Sequence, residues 1–131
     1  MDYTIALFGE AGRGEFRTAY YCKTLEQLSE CLGEPPSIDC KGLDFAIQAL
    51  LYQRGVVYFR VHEEGFSIQD YLSGLTSLEN KDLFPSISAL CLPGVGSSEI
   101  IQATDPICSI HRSFLILTEK DLYDFLTCHS K

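Results

Sequence analysis

The sequence predicts an α/β fold, with a mostly parallel sheet of four to five strands and helices packed on both of its faces. Three observations carry that prediction. Short β-branched and aromatic runs alternate with segments of helical periodicity along the chain. A serine or threonine stands at the start of most of those helical segments, where a helix needs an oxygen for its unpaired amides. One run, ISALCL (87–92), is apolar at almost every position, as a strand covered on both faces must be.

Tyr3 to Phe8 (YTIALF) reads as a first strand that stops at Gly9, and GEAGRG (9–14) can only be a loop. Phe16 to Cys22 fits either a helix start or a short strand. Thr24 caps LEQLSECL, Gln27 completes a capping box, and Gly33 ends that helix. Glu34 to Lys41, with its two prolines, is a connection inside the domain. Leu43 to Tyr52 places Leu43, Ile47, Leu50 and Leu51 on one helical face and closes at Gly55. Val56 to Val61 (VVYFRV) is the cleanest strand, followed by HEEG and by IQDYLSGLTSL capped by Ser67. After the strand 87–92, Ser97 or Ser98 caps EIIQA; SFLIL (113–117) is a further strand, and Thr118 caps EKDLYDFL. The whole is one domain, residues 1–131, arranged as a three-layer Rossmann-like sandwich.

Composition narrows the function. Of 131 residues, 46% are hydrophobic and 21% charged, which is enough apolar material for one core. The net charge of −8, with its ten basic residues scattered, disfavours a nucleic-acid partner and an anionic membrane surface. No two of the six cysteines form a CxxC pair, so a zinc knuckle or redox motif is not expected, and Cys91 and Cys108 read as small core residues. No secretory signal opens the chain and no apolar stretch suits a membrane span, so the expected location is cytoplasmic, with reduced thiols.

In such a fold the loops after the parallel strands meet at one edge of the sheet, where ligands bind. In GEAGRG, Gly9, Gly12 and Gly14 let backbone amides approach an anion, and Arg13 offers a charged fork; a plain turn explains the same glycines. His62 beside Glu63 and Glu64 suggests an acid–base pair, although at most one of the two carboxylates shares its face and a solvated loop is favoured. No motif joins His62 to His111 or His129, so no metal is expected, and no cofactor is implied. In PGVGSSE (93–99), Gly94 and Gly96 permit a tight turn. The hydroxyls of Ser97 and Ser98 and the amides of a new helix then face whatever lies above the sheet. Glu99 in the first helical turn also complements the helix dipole.

Leu92-Pro93-Gly94, Gly96-Ser97 and Glu99 resemble a shortened form of the LPGGxGTxxE motif of the LOG-type phosphoribohydrolases, the lysine-decarboxylase-like (SLOG) Rossmann proteins. The following SFLIL strand and DLYDFL helix are similar to what comes after the motif in that family. The resemblance implies that the loop holds a nucleotide phosphate and that Glu99 serves N-glycosidic bond hydrolysis, with Ser97 in place of the motif's threonine. Arg13 would then orient phosphate, and Ser97 and Ser98 would be hydrogen-bond partners.

Two functions therefore compete: a nucleotide or sugar-phosphate binding edge, with catalysis left open, and a non-catalytic protein-interaction module. The second draws on the aromatics Tyr20, Tyr21, Tyr123 and Phe125, and a homodimer is compatible with either.

Overall fold

A computed structural model describes residues 4–84 and 86–128, with the Cys128 side chain excepted. Tyr3, at the start of the expected first strand, and His129 lie outside the described residues. The elements run β1 (Thr4–Gly9), β2 (Ala19–Cys22), α1 (Leu25–Leu32), α2 (Gly42–Leu51), β3 (Gly55–Arg60), α3 (Ile68–Leu78), β4 (Ala89–Cys91), α4 (Ser98–His111), β5 (Phe114–Ile116) and α5 (Glu119–Cys128).

The strands form one five-stranded sheet in the order β2-β3-β1-β4-β5. β1 pairs in parallel with β3 from Thr4↔Gly55 to Gly9↔Arg60, and with β4 from Ile5↔Ala89 to Leu7↔Cys91; β4 and β5 are also parallel. β2 alone is antiparallel, on the outer side of β3. This settles the ambiguous segment 16–22: its last four residues pair as a strand, and Phe16 to Thr18 stay in the loop.

Alternation along the strands divides the core in two. Ile5, Leu7, Val56, Tyr58, Ala89 and Cys91 face α1, α2 and α5. Ala6, Phe8, Val57, Phe59 and Leu90 face α3 and α4. β1 and β4 are buried along their whole length, as parallel strands covered on both faces are. Phe8 stacks on Phe59 and on Tyr71, with centroids 4.7 and 5.5 Å away, which docks α3 on the sheet. Among the described residues no helix is long and apolar enough to cross a membrane.

Thr24 and Thr118 cap as expected, each accepting from the amide three residues on at 3.1 Å. Other details are corrected. In α2 the buried stripe is Gly42, Leu43, Phe45, Ala46, Ala49 and Leu50, whereas Ile47 and Leu51 are 38% and 65% exposed. Small residues bring α2 close to the sheet, so a face drawn through large aliphatics alone is rotated away from the true one. Gly55 begins β3 instead of ending α2; the turn between them is made by Gln53 at φ 62°. Ser67 and Ser97 stand at N-cap positions without a capping bond from the side chain. The helix begun by EIIQA also continues through Pro106 to His111. Proline costs a helix interior about 3 kcal/mol; burial of Ile100, Thr104 and Ile107 between α3 and the sheet offsets it.

Candidate functional site

The chain leaves β1 toward β3 on one side and returns to β4 on the other, so the strand order reverses between β1 and β4. Open α/β sheets leave a crevice at the carboxyl ends of the strands at such a point. The loops after β1, β3 and β4 meet there.

The loop after β1 is fastened to its own chain. The Arg13 amide donates to Leu32 O at 3.0 Å and its guanidinium to Ser29 O at 2.6 Å, so the side chain caps the carbonyl end of α1. A Cβ at Gly12 would stand 2.4 Å from the Glu34 carbonyl oxygen. The carbonyl of Gly14 accepts from Arg60. Gly12, Arg13 and Gly14, candidates for ligand contact, thus find close partners within the fold.

The loop after β4 is anchored by buried Pro93 and Val95 and is open at Gly94, Gly96, Ser98 and Glu99. Gly94, at φ 81°, and Gly96 have nothing within 4 Å of where a Cβ would stand. Ser98 and Glu99 are exposed, Ser97 is half-buried, and no side chain caps the first turn of α4 at Ser97. Here all the sequence candidates, Gly94, Gly96, Ser97, Ser98 and Glu99, share one exposed loop and helix start.

The loop after β3 joins the other two. Its Glu64 carboxylate accepts from the amides of Glu10 (3.1 Å), Lys41 (2.6 Å) and Gly42 (3.0 Å), and the Glu64 amide donates to the Glu10 carboxylate at 2.9 Å. An anion thus already sits at the N-terminus of α2, and it belongs to the chain. Gly9 and Gly42 make room for it, since a Cβ on Gly9 would stand 2.6 Å from the Gly42 Cα and 2.7 Å from Glu64 Oε1. Gly65, at φ 90°, lies against the Gly94 carbonyl, where a Cβ would come within 2.5 Å, so the β3 and β4 loops touch. Cys40 is pushed up to about 11 by burial and then by the Glu10 and Glu64 charges, which makes its thiol a poor nucleophile.

His62 has a carboxylate partner, and it is neither Glu63 nor Glu64. Asp70, in the first turn of α3, accepts from the His62 amide at 2.8 Å and meets His62 Nδ1 at 2.7 Å. Its other oxygen accepts from Arg17 Nε at 3.2 Å. Burial would raise the Asp70 pKa, but the His62 amide, the imidazole and Arg17 together hold it below its ordinary value of 3.8. Phe16 stacks on the imidazole with centroids 3.5 Å apart and planes at 9°. The Arg60 guanidinium lies 4.3 Å from the same phenyl centroid.

Sequence reasoning missed Asp70, Arg17, Phe16 and Glu10. One signal was present for Asp70: an acid in the first turn of the helix that follows a strand ending in histidine. Nothing local marks Arg17, whose partner lies 53 positions away. Among the described residues no group of three His, Cys, Asp or Glu side chains is placed to hold a metal ion.

The opposite end of the sheet is different in kind. Thr4, Tyr21, Val57, Leu83, Phe84, Ser86 and Ile87 line a mainly apolar cleft of about 410 Å³ toward the N-terminal ends of β1 and β4. Of the aromatics expected at an interface, Tyr21 and Tyr123 are 51% and 57% exposed, while Phe125 is buried in the core.

Comparison of the chain with protein-family models, with curated proteins and with solved structures gives no match.

Proposed function

We propose that this chain is a Rossmann-like α/β/α domain that binds a small phosphate-bearing ligand, a nucleotide or sugar phosphate, at the carboxyl edge of its sheet. The observation that carries the reading is the uncapped, exposed start of α4 at the β1/β4 reversal, with open space above Gly94 and Gly96. Free amides at the start of a 14-residue helix attract an anion, and glycine lets it approach the backbone. The comparable position at α2 is closed by Glu64, and the first turn of α3, also without a side-chain cap, carries the buried Asp70 carboxylate, which disfavours a second anion there. Under this reading Ser97 and Ser98 supply hydroxyls, and Glu99 is the carboxylate next to the bound group.

The test is an amide NMR titration and thermal denaturation against nucleoside monophosphates, dinucleotides and sugar phosphates. The reading expects shifts in the amides of residues 96–100 and a stability gain of about 2.7 kcal/mol at a hundredfold excess over the dissociation constant. Gly96→Asp, which puts a negative charge into open space, should remove both while leaving the unliganded fold intact. A panel that leaves these amides unmoved at millimolar ligand refutes the reading.

A further inference from the structure

The binding reading makes no use of His62 and Asp70, whose geometry is that of a proton-transfer pair. The Asp70 side chain is 3% exposed and that of His62 60% exposed, so one partner is fixed in the fold and the other reaches the surface of the edge. An ionised carboxylate only accepts hydrogen bonds. Nδ1 of His62, at 2.7 Å from Asp70, therefore carries a proton, and in the uncharged tautomer this selects the lone pair lies on Nε2. The flat stack of Phe16 holds the ring plane from a second direction.

The surroundings select an anion. Arg17 bonds Asp70 through Nε, so its two terminal nitrogens are not spent on that contact, and its side chain is 56% exposed. Arg17 adopts φ 60°, as Gln53 and Arg112 do at their own turns, and its backbone turns here two residues before β2 begins. With Arg60 against Phe16, two guanidinium groups and an imidazole gather here in a chain of net charge −8.

We propose that His62 Nε2 is the general base for hydrolysis of a phosphodiester linkage at this edge, with Asp70 as its positioning residue and Arg17 as the partner of the substrate's charge. The inference rests on the reading that a phosphate-bearing ligand docks here. Nε2 takes a proton from water while the water oxygen forms a bond to phosphorus. The P–O bond to the leaving oxygen breaks with its electron pair, and the imidazolium returns the proton to that oxygen. One water is consumed and no other reactant is needed. A diester gives such a base more to do than a monoester, whose loose transition state asks little of the attacking water.

The probe is bis(p-nitrophenyl) phosphate with the full chain, followed by p-nitrophenolate release. Release should exceed that produced by an equal concentration of free imidazole by about a hundredfold, within the range of positioned acid–base catalysis. His62→Ala should lose that excess and recover part of it when imidazole is added. Arg17→Gln should raise KM and leave kcat near its starting value. Asp70→Asn should lower kcat and shift the ring proton to Nε2, read from the imidazole ¹⁵N resonances. If Asp70→Asn does not fold, the His62→Ala loss and its rescue decide alone. A folded His62→Ala that matches the unmodified chain, or a chain no faster than free imidazole, overturns the proposal. The two readings fail separately. Phosphate shifts at residues 96–100 without dependence on His62 leave binding and remove the base. Cleavage that depends on His62 without those shifts keeps the base and moves the ligand away from α4.

Discussion

The loops after β1 and β4 leave neighbouring strands of one sheet, and both carry glycines beside groups suited to an anion. In the first, Gly12 and Gly14 lie against other parts of the chain, and Arg13 holds the carbonyls of α1. In the second, Gly94 and Gly96 face empty space and the helix behind them has no side-chain cap. Glycine serves two ends that a sequence writes the same way: it lets two backbones touch, or it leaves a backbone bare for something else to touch.

The difference can be broken from the closed side. Glu64 ties the β1 and β3 loops to α2 through three amides, so Glu64→Ala should cost about 2–3 kcal/mol in urea denaturation. A loss within experimental error would mean that the first loop is held without it. Gly12→Ala tests the contact with Glu34 directly: overpacking against a backbone oxygen should cost about 2 kcal/mol. No loss there would show that the β1 loop has as much room as the β4 loop.

Asp70 fastens Arg17, and with it the far end of the β1 loop, so its ionisation sharpens the comparison. A carboxylate whose pKa is lower in the folded than in the unfolded chain stabilises the fold above its unfolded pKa. That contribution is lost as pH falls through the folded value. Asp70→Asn should therefore cost about 1–2 kcal/mol at pH 7. The gap to the parent chain should narrow below about pH 4, followed by thermal melts across the acid range. A constant gap would show that the charge does not matter. The smallest effect belongs to the open loop: Gly96→Ala has space and no positive φ to satisfy, so it should change stability by less than about 0.5 kcal/mol. A larger loss would make the β4 loop structural like its neighbour.

Much of this was legible in residue order. Periodicity and turn chemistry located four of the five strands and the five helices, because alternation and capping are local properties that the chain carries with it; β2 became a strand only through its pairing with β3. The β4 loop was legible in part: Gly94, Gly96, Ser98 and Glu99 are exposed in one short stretch, while the burial of Val95 and the contact of Gly65 with the Gly94 carbonyl come from the fold. The limits of local reading show in particular residues. Helix α4 passes through Pro106 because α3 and the sheet bury its inner face. Ile47 was misplaced because Ala46 and Ala49 do the packing.

What tertiary structure alone decided is who partners whom. Residue order brought His62 next to Glu63 and Glu64, but the fold gave it Asp70 and turned Glu64 toward the amides of α2. It committed Arg13 to Ser29 and Arg17 to Asp70, two arginines in one loop with unlike roles. The physical reason is that a secondary-structure element is selected by interactions a few residues apart, whereas a buried carboxylate is satisfied by whichever donors the packed chain brings within about 3 Å.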